Sequence, residues 1–185
     1  MQTTDDQNEL FDLVNENDEV IGVVKRKEAN QNPKLYHRAA VVFVYNNAGE
    51  LYMQKRSMTK DVAPGTWTVS AAGHLSQGQT YEETAHRELL EELGVTSELK
   101  YLRKLIIGVE NETEINSVFE ARHNGPFELH PQEIESGQFF TLKNIEERII
   151  KGSLPVSEWT KIQLYANCGI LPKLNYLQKH ILKTF

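Results

Sequence analysis

Glu88, Glu91 and Glu92 stand at i, i+3 and i+4 in the stretch Arg87-Glu88-Leu89-Leu90-Glu91-Glu92-Leu93-Gly94-Val95. At helical spacing the three carboxylates share one face, where like charges repel and contribute nothing to folding. Taken alone, a Glu-rich helix is a solvated acidic face. A divalent cation gives the same spacing a use, because hard carboxylate oxygens suit Mg²⁺ or Mn²⁺, and such an ion recruits substrate phosphates to fill its shell. The chemical reading is favoured by what flanks the cluster: a glycine-bracketed loop, Gly73 to Gly78, on one side and Gly94 on the other.

A helix must position these groups, and its ends are written locally. Thr80 with Glu83 three residues on is a capping-box pair, in which each side chain satisfies a backbone N–H of the first turn. Ala85, Leu89, Leu90 and Leu93 recur at helical intervals, and Gly94 suits the left-handed residue just past a helix end. The spacing predicts a helix over residues 80–93. Before it, Ala39 to Tyr45 is an apolar run suited to a strand buried on both faces. A turn at Asn46-Asn47-Ala48-Gly49 leads to a second strand, Leu51 to Arg56, and Thr66 to Ala72 forms a third that delivers the chain to Gly73.

The spacing from Gly73 to Val95 resembles the Nudix box, Gly-x5-Glu-x7-Arg-Glu-(apolar)-x-Glu-Glu-x-Gly-(apolar). This chain departs from it once, with Gln79 at the first Glu. The resemblance implies an α/β fold, a Nudix-type α/β/α sandwich with a mixed central sheet. It also implies that Glu88, Glu91 and Glu92 hold Mg²⁺ or Mn²⁺ and that Arg87 orients the helix that carries them. Gln79 is expected to accept a hydrogen bond from Arg87 without the ion pair a Glu would give. The catalytic candidates are Glu92, Glu133 and Arg87, with Glu92 and Glu133 competing for the role of general base. Lys55, Arg56 and Gly73 are candidates for contact with substrate phosphate.

A second resemblance spans roughly residues 10 to 140. Leu35-Tyr36-His37-Arg38-Ala39, Arg56-Ser57, Pro64-Gly65-Thr66-Trp67 and Gly73-His74 are similar to the Nudix branch of isopentenyl-diphosphate isomerase. In that branch three His and two Glu hold a metal, and a Cys precedes the Gly-His pair. Here His37, His74, Glu112 and Glu114 match four of the ligands, the third His position falls at Asn30, and the Cys position is Ala72. Alanine has no thiol to move a proton, so the resemblance implies hydrolysis rather than isomerisation. His37, His74, Glu112 and Glu114 are carried as a second metal site. Taken singly, the histidines read as structural and the glutamates as exposed charges.

The remaining elements complete the fold. Leu10 to Val14 and Val20 to Lys25 form an N-terminal hairpin within an extension over residues 1–33, whose first eight residues are expected to fray. Glu28 to Pro33 reads as a polar connector. The core and C-terminal helices occupy residues 34–185, making one domain of 1–185. Strands are expected at Leu99–Val109, Ile115–Ala121 and Gly137–Phe140. Helices are expected at Asn144–Ile150, from Ser157 to about Ala166, and from Pro172 to Thr184. His86 falls at a variable position of the box, His123, His130 and His180 have no motif around them, and all four read as surface residues.

A net charge of −6 argues against broad phosphate neutralisation along a nucleic acid. One cysteine, Cys168, permits no intrachain disulfide, and neither a leader-like N-terminus nor a membrane-length apolar run is evident. The expectation is a cytoplasmic enzyme acting on a small diphosphate, with no nucleic-acid or membrane partner; a homodimer is compatible with the sequence. The leading function is a metal-dependent pyrophosphohydrolase cleaving, for example, a nucleoside diphosphate linked to another moiety. The rivals are an isomerase-like protein and a diphosphate-binding module without catalysis.

Overall fold

The computed structural model describes residues 5–172 and 174–185. Its organising strand is β3 (Tyr36–Tyr45), whose unbroken apolar run places alternate side chains on opposite faces. Val41 and Phe43 enter a core with Ile145 and Ile149 of helix α3 (Leu142–Ile150) and Ile162 and Leu164 of helix α4 (Glu158–Cys168). Ala40, Val42 and Val44 enter another with Ala85, Leu89 and Leu93 of helix α2 (Tyr81–Leu93). One strand thus feeds two apolar layers, which is the sandwich expected from the sequence.

Around β3 the sheet is mixed. Strand β8 (Thr113–Arg122) runs parallel to β3 along ten paired positions, and β6 (Ala71–His74) runs antiparallel through Ala39↔His74 to Val42↔Ala71. Beyond β8 lie β7 (Lys100–Gly108) and, at the edge, β10 (Ile181–Thr184). On the other side of β3 lie β1 (Leu10–Val14) and β2 (Val20–Lys25), the expected hairpin. Strand β4 (Leu51–Arg56) pairs with β5 (Trp67–Thr68) and with β9 (Ile134–Phe140). Among the described residues no helix is long and apolar enough to cross a membrane.

Three expectations need correction. The C-terminal segment is not a helix to Thr184: a 3₁₀ turn over Asn175–His180 gives way to β10, which pairs with β7 at Ile181↔Ile107 and Thr184↔Leu105. An unfilled sheet edge outweighs the helical spacing of Leu177 and Ile181. The polar connector begins with a single helical turn, α1 (Arg26–Ala29), that buries Ala29. Of the eight residues expected to fray, 1–4 lie outside the described residues, but Asp5 is anchored, its side chain only 5% exposed.

Candidate active site

Helix α2 begins and ends where local chemistry directs. Thr80 Oγ1 accepts from the Glu83 N–H at 3.3 Å, Glu83 Oε2 accepts from the Thr80 N–H at 2.9 Å, and Gly94 closes the helix at φ 67°. The helix packs against β3 and β6 and aims Glu88, Glu91 and Glu92 into one cavity of about 410 Å³. Glycine at 73 makes this packing feasible, since a Cβ there would overlap the Glu88 carboxylate.

The three carboxylates are not equivalent. Glu92 is buried; its Oε2 accepts from Gln54 Nε2 at 2.8 Å and from the Ala72 N–H at 3.3 Å. Burial, reinforced by the charges of Glu88 and Glu133, drives its pKa well above the carboxylate range. Glu88 is raised to about 7 by burial, with Glu91 and Glu133 adding to the rise and Arg87 opposing it. Glu91 is 56% exposed and pairs with Arg87 Nη1 at 2.8 Å. Two buried carboxylates that resist ionising beside one another fit a divalent cation, which relieves desolvation and repulsion together.

Arg87 also reaches Glu88 Oε1 at 2.8 Å and the His74 carbonyl at 3.1 Å, tying helix to strand. The expected bond from Arg87 to Gln79 does not form. Gln79 Oε1 instead accepts from the Ser76 N–H at 3.2 Å in its own loop and from Thr84 Oγ1 at 3.3 Å in the first turn of α2. Arg87 Nε is left buried without a partner.

Of the phosphate candidates, Arg56 lines the cavity and Lys55 does not. Successive strand residues face opposite ways, and Lys55 Nζ pairs with Glu135 at 2.7 Å on the far side. The residue that shares the face of Arg56 is Gln54, a partner of Glu92 that alternation along β4 would have revealed. Glu133, just before β9, also borders the cavity and is held by Lys60. His130, read as a surface residue, is exposed but stands at the cavity border. Sequence spacing did not identify Arg26, Lys60 or Trp159, which also line it.

The second cluster is assembled at the wall of the same cavity, which His74, Glu112 and Glu114 line with His37 buried among them. One ligand atom each from His37, His74, Glu112 and Glu114 lies within 4.8 Å of the others. Neither glutamate is an exposed charge: Glu112 is 8% and Glu114 5% exposed. Burial, with Glu114 beside it, lifts Glu112 to about 8. Burial would lift Glu114 too, but hydrogen bonds from His74 at 2.9 Å and Trp159 Nε1 at 2.6 Å help hold it at about 2. His37 is fully buried, which pushes its imidazole down to about 4. Its Nε2 has no hydrogen-bond partner, and neither has the buried amide of Asn30. A neutral imidazole with an unused nitrogen among carboxylates suits a metal ion.

The family model for the NUDIX domain matches residues 35–160. The chain belongs to the Nudix family. It is 35% identical over 150 residues to a Nudix hydrolase of Deinococcus radiodurans, covering 78% of this chain and 85% of that one. Over 156 residues it is 30% identical to isopentenyl-diphosphate Delta-isomerase 1 of Photorhabdus laumondii, covering 80% and 89%. A crystal structure of a Deinococcus radiodurans protein superimposes with a TM-score of 0.71 at 28% identity, covering 83% of this Nudix chain and 96% of that one. Both resemblances drawn from the sequence are therefore present among its relatives.

Proposed function

We propose that this Nudix protein is a divalent-metal-dependent hydrolase that cleaves a diphosphate linkage in a small phosphorylated metabolite. The observation that carries the reading is the convergence, in one cavity, of the α2 carboxylates, Glu133 and the cations Arg26, Arg56 and Lys60. Glu88, Glu91 and Glu92 would hold Mg²⁺ or Mn²⁺, which supplies Lewis acidity toward phosphoryl oxygens and toward water. Arg56 and Lys60 would meet the remaining phosphate charge. Arg87 positions Glu88 and Glu91 through its paired bonds. Glu133 is the better general base, because Glu92 is buried, bonded to Gln54 and the Ala72 N–H and assigned to the metal, whereas Glu133 at the cavity border keeps an oxygen outside its pair with Lys60.

A second reading concerns the histidine cluster, which is favoured as a further metal site by the unpartnered His37 Nε2. Such a site would bind an ion beside the α2 carboxylates. Ala72, in the cavity wall, gives isomerisation no thiol.

The test is a panel of nucleoside-linked, sugar-linked and isoprenoid diphosphates incubated with protein and Mg²⁺ and followed by phosphorus NMR. The expected result is a phosphomonoester product from at least one member, lost on chelation. An allylic diphosphate from isopentenyl diphosphate, with no hydrolysis of any member, would overturn the proposal.

A further inference from the structure

In the wall of the cavity two cations are met by a carboxylate from the chain's own N-terminal segment. Asp5 lies ahead of β1, yet its carboxylate is drawn in against the cavity wall. Its Oδ1 accepts from Lys60 Nζ and lies 3.3 Å from Arg26 Nη2, while its Oδ2 accepts from the Asp61 N–H at 3.0 Å. Two cations and a backbone N–H make a donor set of the kind that binds a phosphoryl group. The cations are themselves nearly buried, with side-chain exposures of 9% for Lys60 and 12% for Arg26.

Departure of Asp5 would not strand either cation. Lys60 retains Glu133, and Arg26 retains Asp61 at 3.3 Å and Glu9 at 3.7 Å. The segment has its own way out, since the Asn8 N–H bonds Asp6 Oδ1 and the Glu9 N–H bonds the Asp6 carbonyl in a local turn. The further ties to displace are Gln7 Nε2 on Asp61 Oδ2 at 2.9 Å and the Lys27 N–H on the Gln7 carbonyl at 3.3 Å, while Glu9, held by Ser76 Oγ at 2.7 Å, stays as the anchor.

We infer that Asp5 is an intrasteric gate: its carboxylate occupies the cationic end of the cavity, and a substrate phosphate must displace it. The inference rests on the proposal that this cavity takes a diphosphate. A tethered carboxylate competes at the high effective concentration set by a short chain. A singly charged ligand competes poorly against it, whereas a diphosphate brings more charge and more acceptor oxygens. The gate therefore selects polyanions over carboxylate metabolites.

The probe is methylenediphosphonate, whose bridging carbon resists hydrolysis, titrated calorimetrically in Mg²⁺ into the full chain and into Asp5→Asn. Asp5→Asn should bind about tenfold more tightly, the equivalent of losing one charge-assisted competitor. Hydrogen exchange on the unaltered protein gives a second measure that needs no variant. On binding, the backbone amide of Lys27, which donates to the Gln7 carbonyl, should exchange faster as the segment leaves. Equal or weaker binding by Asp5→Asn, or unchanged or slower exchange at that amide, overturns the gate. Binding of equal strength to both proteins retracts the gate alone. No binding to either removes the diphosphate site and the gate with it.

Discussion

Replacing Glu88 by Gln should change the pH dependence of stability in a way that exposes the strain between this carboxylate and Glu92. Burial, with Glu91 and Glu133 nearby, raises Glu88 from 4.5 to about 7 in the metal-free protein. A folded-state pKa above the unfolded one means that stability is fully present below the unfolded pKa and is lost as pH rises through the folded value. The loss begins near 4.5 and is complete about one pH unit above 7. At about 1.4 kcal/mol per pH unit, the step from 4.5 to about 7 makes the native protein on the order of 3 kcal/mol less stable at pH 8.5 than the protonated form would be. Glutamine keeps the shape and cannot ionise. Subtracting wild-type from Glu88→Gln stability removes groups that do not feel Glu88, including His37, whose depressed pKa acts with the opposite sign between about 4 and 6.5. Glu92, whose rise the Glu88 charge reinforces, relaxes in the variant and moves the difference the same way as Glu88 does. Urea unfolding under chelation at pH 4.5, 6.5 and 8.5 should therefore show the difference moving in favour of the variant, by on the order of 3 kcal/mol across the range. A pH-independent difference would refute the claim that Glu88 is a buried carboxylate resisting ionisation.

Three further outcomes follow from the cavity wall. Gly73→Ala should cut turnover at least about tenfold and weaken Mg²⁺-induced stabilisation, because the added Cβ displaces the Glu88 carboxylate, as thermal melts with and without Mg²⁺ would register. Lys55→Ala should leave steady-state kinetics unchanged, whereas Arg56→Ala should raise KM about tenfold; equal effects would mean that strand alternation does not separate their roles. Gln79→Glu should raise kcat by up to about tenfold, since negative charge at the N-terminal edge of α2 is favoured by the helix dipole and attracts the Arg87 guanidinium; an unchanged or lowered kcat would assign Gln79 to its loop alone.

Much of the frame was legible because its instructions are local. Thr80 with Glu83, the spacing of Ala85, Leu89 and Leu93, and Gly94 define α2 within a few turns of chain. The apolar run of β3 announced its double burial in the same way. Local signals failed where a distant partner decides. Leu177 and Ile181 fit a helix until β7 offers an edge to pair with, and nothing near Asp5 in sequence foretells Lys60 or Arg26. Gln79 follows the Nudix spacing yet turns into its loop because Ser76 and Thr84 are the nearer donors. Lys55 is a different case: alternation along β4 was readable, and it sets Lys55 apart from Gln54 and Arg56.

The location of the metal is the most direct measure of the whole account. Crystals grown with Mn²⁺ and methylenediphosphonate should give an anomalous peak among Glu88, Glu91 and Glu92, with Glu91 released from Arg87 to complete the ligand set and diphosphonate oxygens beside the ion. A further peak at His37, His74, Glu112 and Glu114 is consistent with the second site. Density confined to the histidine cluster, with the α2 carboxylates bare and the diphosphonate elsewhere, would contradict the proposal that this helix carries the chemistry.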